Sequence, residues 1–140
     1  MQLQPITDWQ AQIAAGRQYL QTAANGRRRP AVFNNELIFQ LAAMAIEKLA
    51  VGLSQYHRQM PVDHTLSGLV AELAAVCPLD RALVARIQKI EAMDDMCALS
   101  VGHRQPPADA LIREILAVGQ EVERFVNRHV PHRRASAAKV

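Results

Sequence analysis

Aromatic residues are scarce in this chain: one Trp, two Tyr and three Phe among 140 residues. Half of the residues are nevertheless hydrophobic, with alanine abundant. Small apolar side chains suit closely packed helices better than a sandwich or a barrel. Clusters of β-branched residues bounded by turn residues, the usual mark of strands, are missing as well. Cysteine is limited to Cys77 and Cys97. Both fall in apolar helical patterns and form no close-spaced pair, which excludes a disulfide scaffold and fits two buried thiols in a reducing cytosol. No run of about 20 apolar residues is free of charged or strongly polar groups, so no transmembrane span is expected. The first residues, Met1-Gln2-Leu3-Gln4-Pro5, lack the basic and apolar regions of a signal peptide, and the expected compartment is the cytoplasm. Glycine-rich phosphate loops, nucleophile elbows and Cys–His pairings are also absent from the sequence.

What is present is helical periodicity. The longest apolar-periodic stretch runs from Asn35 to His57. Ile38, Leu41, Ala42, Ala45, Leu49, Leu53 and Tyr56 recur there at steps of three and four, and Phe39, Ala43, Ile46 and Ala50 widen the stripe. Such a helix has neighbours on more than one side. Before it, Thr7-Asp8-Trp9-Gln10 has the form of a capping box, with Trp9, Ile13, Gly16 and Leu20 on one face and a stop at Asn25-Gly26. After it, Asp63 is a candidate N-cap for a short helix from Thr65 to about Val76, with Leu66, Leu69, Val70 and Leu73 inward. A further helix is expected from Leu79 to about Leu99 on the pattern Leu79, Leu83, Ile87, Ile90, Met93 (or Asp94) and Cys97. Pro107 suits the first turn of the last helix. There Leu111, Ile115, Val118, Val122 and Phe125 form a heptad-like seam that Pro131 ends. The expected fold is all-α: an antiparallel up-and-down bundle of four long helices and one short one, a single domain over residues 1–130. Residues 131–140 read as a basic disordered tail.

The net charge of +3 is uneven. Arg124, Arg128, Arg133, Arg134 and Lys139 contribute five positive charges with no carboxylate beyond residue 123, which leaves −2 for the rest. The tail fits contact with phosphates or a solvated, solubilising end. Arg27-Arg28-Arg29 before Pro30 has the same two readings, a phosphate-binding loop or a solubilising linker.

Ala42-Ala43-Met44-Ala45-Ile46-Glu47-Lys48-Leu49-Ala50-Val51-Gly52-Leu53 resembles the "A-x-x-A-x-E-K-x-L-K-A-L-L" centre of the HEPN family (higher eukaryotes and prokaryotes nucleotide-binding). Asp63-His64-Thr65-Leu66-Ser67-Gly68-Leu69-Val70 is similar to the "T-H-x-L-x-x-L" stretch that follows it there, with Thr and His exchanged. Ser100 to Pro107 occupies the place of that family's "R-Y-P" segment. The resemblance covers roughly residues 6–130. It implies a helical bundle, a homodimer, and a role among three kinds of protein: metal-independent ribonuclease toxins, partners of small nucleotidyltransferases in toxin–antitoxin or defence pairs, and noncatalytic modules that bind RNA or nucleotides.

In ribonuclease members an Arg, usually with a polar residue after it, is followed after four to six intervening residues by a His near the start of the last helix. That pair supplies the base, the acid and the cation that cleavage through the RNA 2′-OH requires. Here Arg104-Gln105 stands in the expected place, but no histidine follows in 106–111, and His103 precedes the arginine. The resemblance is therefore to a degenerate member. The expected function is noncatalytic binding of nucleotide, RNA or a nucleotidyltransferase-type partner, with Arg27, Arg28, Arg29 and Arg104 as phosphate-binding candidates. One alternative is a divergent ribonuclease using Arg104 with His103 or His64, and another is a structural dimeric bundle. Broad apolar faces also motivate the homodimer.

Other combinations carry less. Arg58 with His64, and Arg124 with His129, match the ribonuclease spacing by count but stand elsewhere in the chain. His129 and His132 have Pro131 between them and no thiol or carboxylate nearby, short of a zinc site. Glu91, Asp94 and Asp95 read as a solvated face or as salt-bridge partners, and no Glu-x-x-His pair marks a di-metal bundle. His64 fits either a pocket or a hydrogen bond to a backbone carbonyl. Glu47, if partly buried, needs a cationic partner. No cofactor and no metal are expected.

Overall fold

The computed structural model describes residues 8–98 and 105–131, with side chains of 96–98 excepted. Among the described residues every regular element is a helix: α1 (Trp9–Gly26), α2 (Asn35–Tyr56), α3 (Leu66–Ala74), α4 (Arg81–Ala98) and α5 (Asp109–His129).

Helix α2 is the organising element, in contact with α1, α3 and α5. Ile38, Phe39, Ala42, Ala45, Ile46, Leu49, Ala50 and Leu53 are all buried to 2% exposure or less, as the wide stripe requires. Among the described residues, α2 is the one helix long and apolar enough to cross a membrane. In the fold its apolar surface is mostly covered by neighbouring helices, the arrangement of a core helix. Asn34 starts α2 by accepting a hydrogen bond from Leu37 N–H at 2.9 Å.

The close fit of α1 on α2 depends on glycine. A Cβ on Gly16 would lie 2.8 Å from Leu49 Cγ and 3.1 Å from the Ala45 carbonyl oxygen, and one on Gly52 would lie 2.7 Å from Ile13 Cγ1. The alanine-rich composition thus has a structural counterpart, since small residues let these two helices approach. Trp9 meets Tyr56 edge-on at 5.0 Å, closing the far end of the pair. These contacts make α1 and α2 antiparallel. Leu20 against Gly119 and Arg17 against Glu123 make α1 and α5 antiparallel as well.

The C-terminus of α2 is closed by a Schellman motif. Arg58 N–H bonds to the Gln55 carbonyl at 2.8 Å and Gln59 N–H to the Ser54 carbonyl at 2.8 Å. The residue turning the chain is Arg58, at φ 61°, where glycine is the usual occupant.

Several local expectations are corrected. The N-cap of α3 is Thr65, whose hydroxyl oxygen accepts from Gly68 N–H at 3.0 Å. Asp63 instead accepts from the Thr65 N–H and hydroxyl at 2.9 and 2.8 Å, so its carboxylate is spent on holding the capping residue. Helix α4 begins at Arg81 rather than Leu79, because the Asp80 carboxylate accepts from Ala82 N–H at 3.0 Å and sets the start. Pro107 lies before α5, whose N-cap is Ala108; the Pro107 carbonyl is tied to Asn35 Nδ2 at 2.9 Å. Thr7 of the expected capping box lies outside the described residues, and Asp8 makes no side-chain cap.

The seam of α5 is as expected: Leu111, Ile115, Val118, Val122 and Phe125 are all buried. In α4, Leu83, Ile87 and Ile90 are buried, while Met93 is 41% exposed. Short α3 packs on both α2 and α4. Cys77, just past α3, is buried with its thiol 3.5 Å from the Leu73 carbonyl, and burial pushes that thiol up from its ordinary pKa. The side chain of Cys97 is outside the described set.

Candidate functional site

Two places bring the sequence candidates onto the surface. The first is the end of the molecule where α1 stops and α2 begins. The chain leaves α1 through successive turns, with Arg28 N–H on the Asn25 carbonyl (3.1 Å), Arg29 N–H on the Gly26 carbonyl (2.9 Å), and Val32 and Phe33 N–H both on the Arg29 carbonyl (2.9 and 2.8 Å). The backbone of the basic stretch is therefore hydrogen-bonded through the turn. Its side chains are exposed at all three positions, Arg27, Arg28 and Arg29. None of them takes part in an ion pair with a described residue.

The start of α5 is joined to the same end. Asn35 Nδ2 donates both to the Pro107 carbonyl and to Asp109 Oδ1, at 2.9 and 2.8 Å. A hollow of about 420 Å³ beside this clamp is lined by Asn34, Asn35, Glu36 and Pro106. His103 and Arg104 lie outside the described residues.

The second place is a hollow of about 210 Å³ between α2, the start of α3 and α4. Phe39, Ala43, Met44 and Leu66 supply apolar wall, and Glu47, His64, Glu91 and Asp94 supply polar groups. His64 is 57% exposed and its Nδ1 lies 3.4 Å from Glu47 Oε2, so its partner is a carboxylate and not the backbone carbonyl. Among the described residues no arginine or lysine forms an ion pair with Glu47; its neighbour is this imidazole. The pair has the look of an imidazole oriented by an acid, but three carboxylates line the hollow with it. An RNA phosphate brought there meets like charge, so the setting disfavours the chemistry that a ribonuclease histidine performs.

Glu91 is the residue that sequence reasoning missed. Its carboxylate accepts from Leu66 N–H at 3.1 Å, from Ser67 N–H at 3.0 Å and from the Ser67 hydroxyl. It thus occupies the positive end of α3, whose own first turn holds no acidic residue. That vacancy was the one available signal, though it names no partner.

The remaining candidates have structural roles. Arg58 is the turn residue after α2. His129 Nδ1 pairs with the Phe125 carbonyl at 2.9 Å, and its ring stacks on Phe125 at 4.0 Å, with Arg128 5.8 Å from the same ring. His132 is outside the described residues. Among the described residues no group of three or more His, Cys, Asp or Glu side chains is placed to hold a metal ion.

Protein-family models, curated proteins and solved structures give no match to the chain.

Proposed function

We propose that this chain is a noncatalytic helical module of the HEPN-like kind, which binds RNA or nucleotide phosphates through the loop between α1 and α2. The observation that carries this reading is the set of three consecutive exposed arginines, Arg27 to Arg29, on a hydrogen-bonded loop with no ion-pair partner among the described residues. Guanidinium groups suit phosphate because their planar donor fork matches its oxygens. Free guanidinium groups release counterions from a nucleic acid when they bind it.

The bundle reading is supported by the order of helices and by the directions of α1, α2 and α5. The Ala42–Leu53 segment, on which the family resemblance rests, lies at the centre of the core. The noncatalytic half of the reading is supported by the acidic surroundings of His64. A nucleotidyltransferase-type protein is the partner class that the resemblance adds.

The test is incubation with end-labelled single-stranded RNA in EDTA, with binding followed by fluorescence anisotropy and integrity by gel. The reading expects bound, intact RNA. Cleavage that survives in EDTA and is lost in Arg104→Ala would replace it with the ribonuclease alternative. Absence of binding to both RNA and nucleotides would leave a structural bundle.

A further inference from the structure

The buried stripe of α4 loses its cover towards the end of the helix. Leu83, Ile87 and Ile90 are 4% exposed or less, and Met93 continues them at helical spacing, yet Met93 is 41% exposed. Across from it α5 offers only Ala110, and between the two helices lies a hollow of about 220 Å³. Ile90 and Leu111, 1% and 4% exposed, form its floor, with Met93 and Ala110 as apolar walls. Arg86, Lys89 and Glu114 supply its polar groups.

Those polar groups are unequally engaged. Arg86 donates from Nε and Nη2 to the two oxygens of Glu114, at 2.9 and 3.2 Å, and from Nη1 to Glu121 at 2.6 Å. Both Glu114 oxygens therefore already accept from a guanidinium. Lys89 is exposed and enters no ion pair with a described residue. Its charge still acts on Glu114, behind the hydrogen bonds of Arg86, so the ammonium lies near the polar end of the hollow. The charges of Arg86, Lys89, Glu114 and Glu121 cancel, and what stays unused is the donor capacity of Lys89. A ligand that completes this end brings an acceptor. A carboxylate does so best, because its bond to an ammonium is charge-assisted. A cationic ligand would have to compete with Arg86 for Glu114.

Size sets the rest of the ligand. A cavity of about 150 Å³ holds benzene, whereas drug-sized ligands need about 300 Å³ or more. The hollow falls between the two, room for one six-membered ring or a chain of about six carbons with its polar end at the mouth. Met93 suits either body, since a flexible thioether packs against rings and chains alike. We infer that the hollow between α4 and α5 binds a small monocarboxylate with an apolar body of this size, its carboxylate on Lys89 and its body on Ile90, Met93 and Leu111. The site uses no residue of the α1–α2 loop, so it stands independently of the proposed phosphate binding.

NMR titration of the full chain tests it with three probes of one shape: phenylacetate, neutral 2-phenylethanol and the 2-phenylethylammonium cation. Phenylacetate should saturably shift amide signals around Ile90 and Leu111 with a Kd of about 1 mM, the scale open to a ligand of about ten non-hydrogen atoms. The alcohol should bind about 3-fold more weakly, because an exposed ion pair adds only a modest factor, and the cation more weakly still. Lys89→Met keeps the apolar stem and should erase the preference for the acid over the alcohol. Ala110→Leu fills the hollow from an exposed position and should weaken both probes at least ~10-fold, with the dispersion of amide signals showing that the fold is kept. No shifts at about 10 mM phenylacetate overturn the inference. So do shifts that scatter over the surface without saturating, a preference for the cation, or a preference for the acid that survives Lys89→Met.

Discussion

Glu91 on α4 holds the first turn of α3 through Ser67, accepting from both its backbone N–H at 3.0 Å and its hydroxyl. The same carboxylate takes Leu66 N–H. Two of the four orphan amides of α3 are thus satisfied by another helix, beside the one that Thr65 takes. A charge-assisted, half-buried cap of this kind contributes more than an exposed serine cap does. Glu91→Ala should cost about 2 kcal/mol and lower Tm by about 6 °C, with Glu91→Gln about half as damaging. Thermal unfolding followed by circular dichroism would read both, and an unchanged Glu91→Ala would refute the docking role.

Arg58 is at φ 61° because the Schellman turn after α2 requires it. An L side chain there costs roughly 1 kcal/mol that glycine avoids, partly offset by glycine's greater freedom in the unfolded chain. Arg58→Gly should therefore stabilise the protein by about 0.5 kcal/mol. Loss of stability in urea unfolding would mean that the Arg58 side chain has a role beyond the turn.

The three glycines at helix contacts should separate by what faces them. A Cβ on Gly16 or Gly52 would press on backbone oxygens, of Ala45 and Trp9 respectively, each at 3.1 Å, as well as on branched side chains. At Gly119 the only close atom is Leu20 Cδ1 at 2.7 Å, the end of a side chain that can turn. Alanine gains about 1 kcal/mol in helix propensity at all three. Gly119→Ala should come out within about 1 kcal/mol of wild type, while Gly16→Ala and Gly52→Ala lose about 1–3 kcal/mol. Equal effects at the three sites in equilibrium unfolding would contradict the packing account.

Arg86 joins α4 to α5 by bonding Glu114 at 2.9 Å and Glu121 at 2.6 Å. Its hydrogen bonds to Glu114 hold that carboxyl below its ordinary pKa of 4.5, against a smaller effect of burial, with the charges of Arg86 and Lys89 adding to the lowering. A carboxyl lowered in the fold contributes stability that is complete above its unfolded pKa and is lost as pH falls through the folded one. Both partners are a third or more exposed, so the contribution is at most about 1 kcal/mol. Glu114→Gln should be less stable than wild type at neutral pH, and the gap should close as pH drops below about 4.5. Urea unfolding across that range would show it; a gap that widens in acid would contradict the assignment.

The helices were legible in the sequence wherever one face is apolar at helical spacing. Ile38, Ala42, Ala45, Leu49 and Leu53, and Leu111, Ile115, Val118, Val122 and Phe125, recur at helical spacing and are buried, because burial of an amphipathic stripe is a local property of the sequence; Leu41, Ala43 and Tyr56 of the same expected stripe are only partly buried. Docking of Glu91 on α3 was not legible. Its donors, Leu66 and Ser67, are 25 and 24 residues away, and local spacing instead favoured Asp63 as the cap. Likewise nothing near His64 in the chain marks Glu47, one helix earlier, as its neighbour. Arg27 to Arg29 are legible as a basic connector, whereas their having no ion pair with a described residue depends on where the other helices place their acids.

The central claim, phosphate binding by the α1–α2 loop, is tested most directly by the salt dependence of RNA affinity. Labelled single-stranded RNA would be titrated over a range of salt concentrations with wild type and with the Arg27→Ala/Arg28→Ala/Arg29→Ala variant. Each phosphate contact on a single strand adds about 0.7 to the slope of log affinity against log salt. The account predicts a slope shallower by about 2 in the variant, with the fold unchanged because all three side chains are exposed. Wild-type affinity and slope retained in the variant would contradict it.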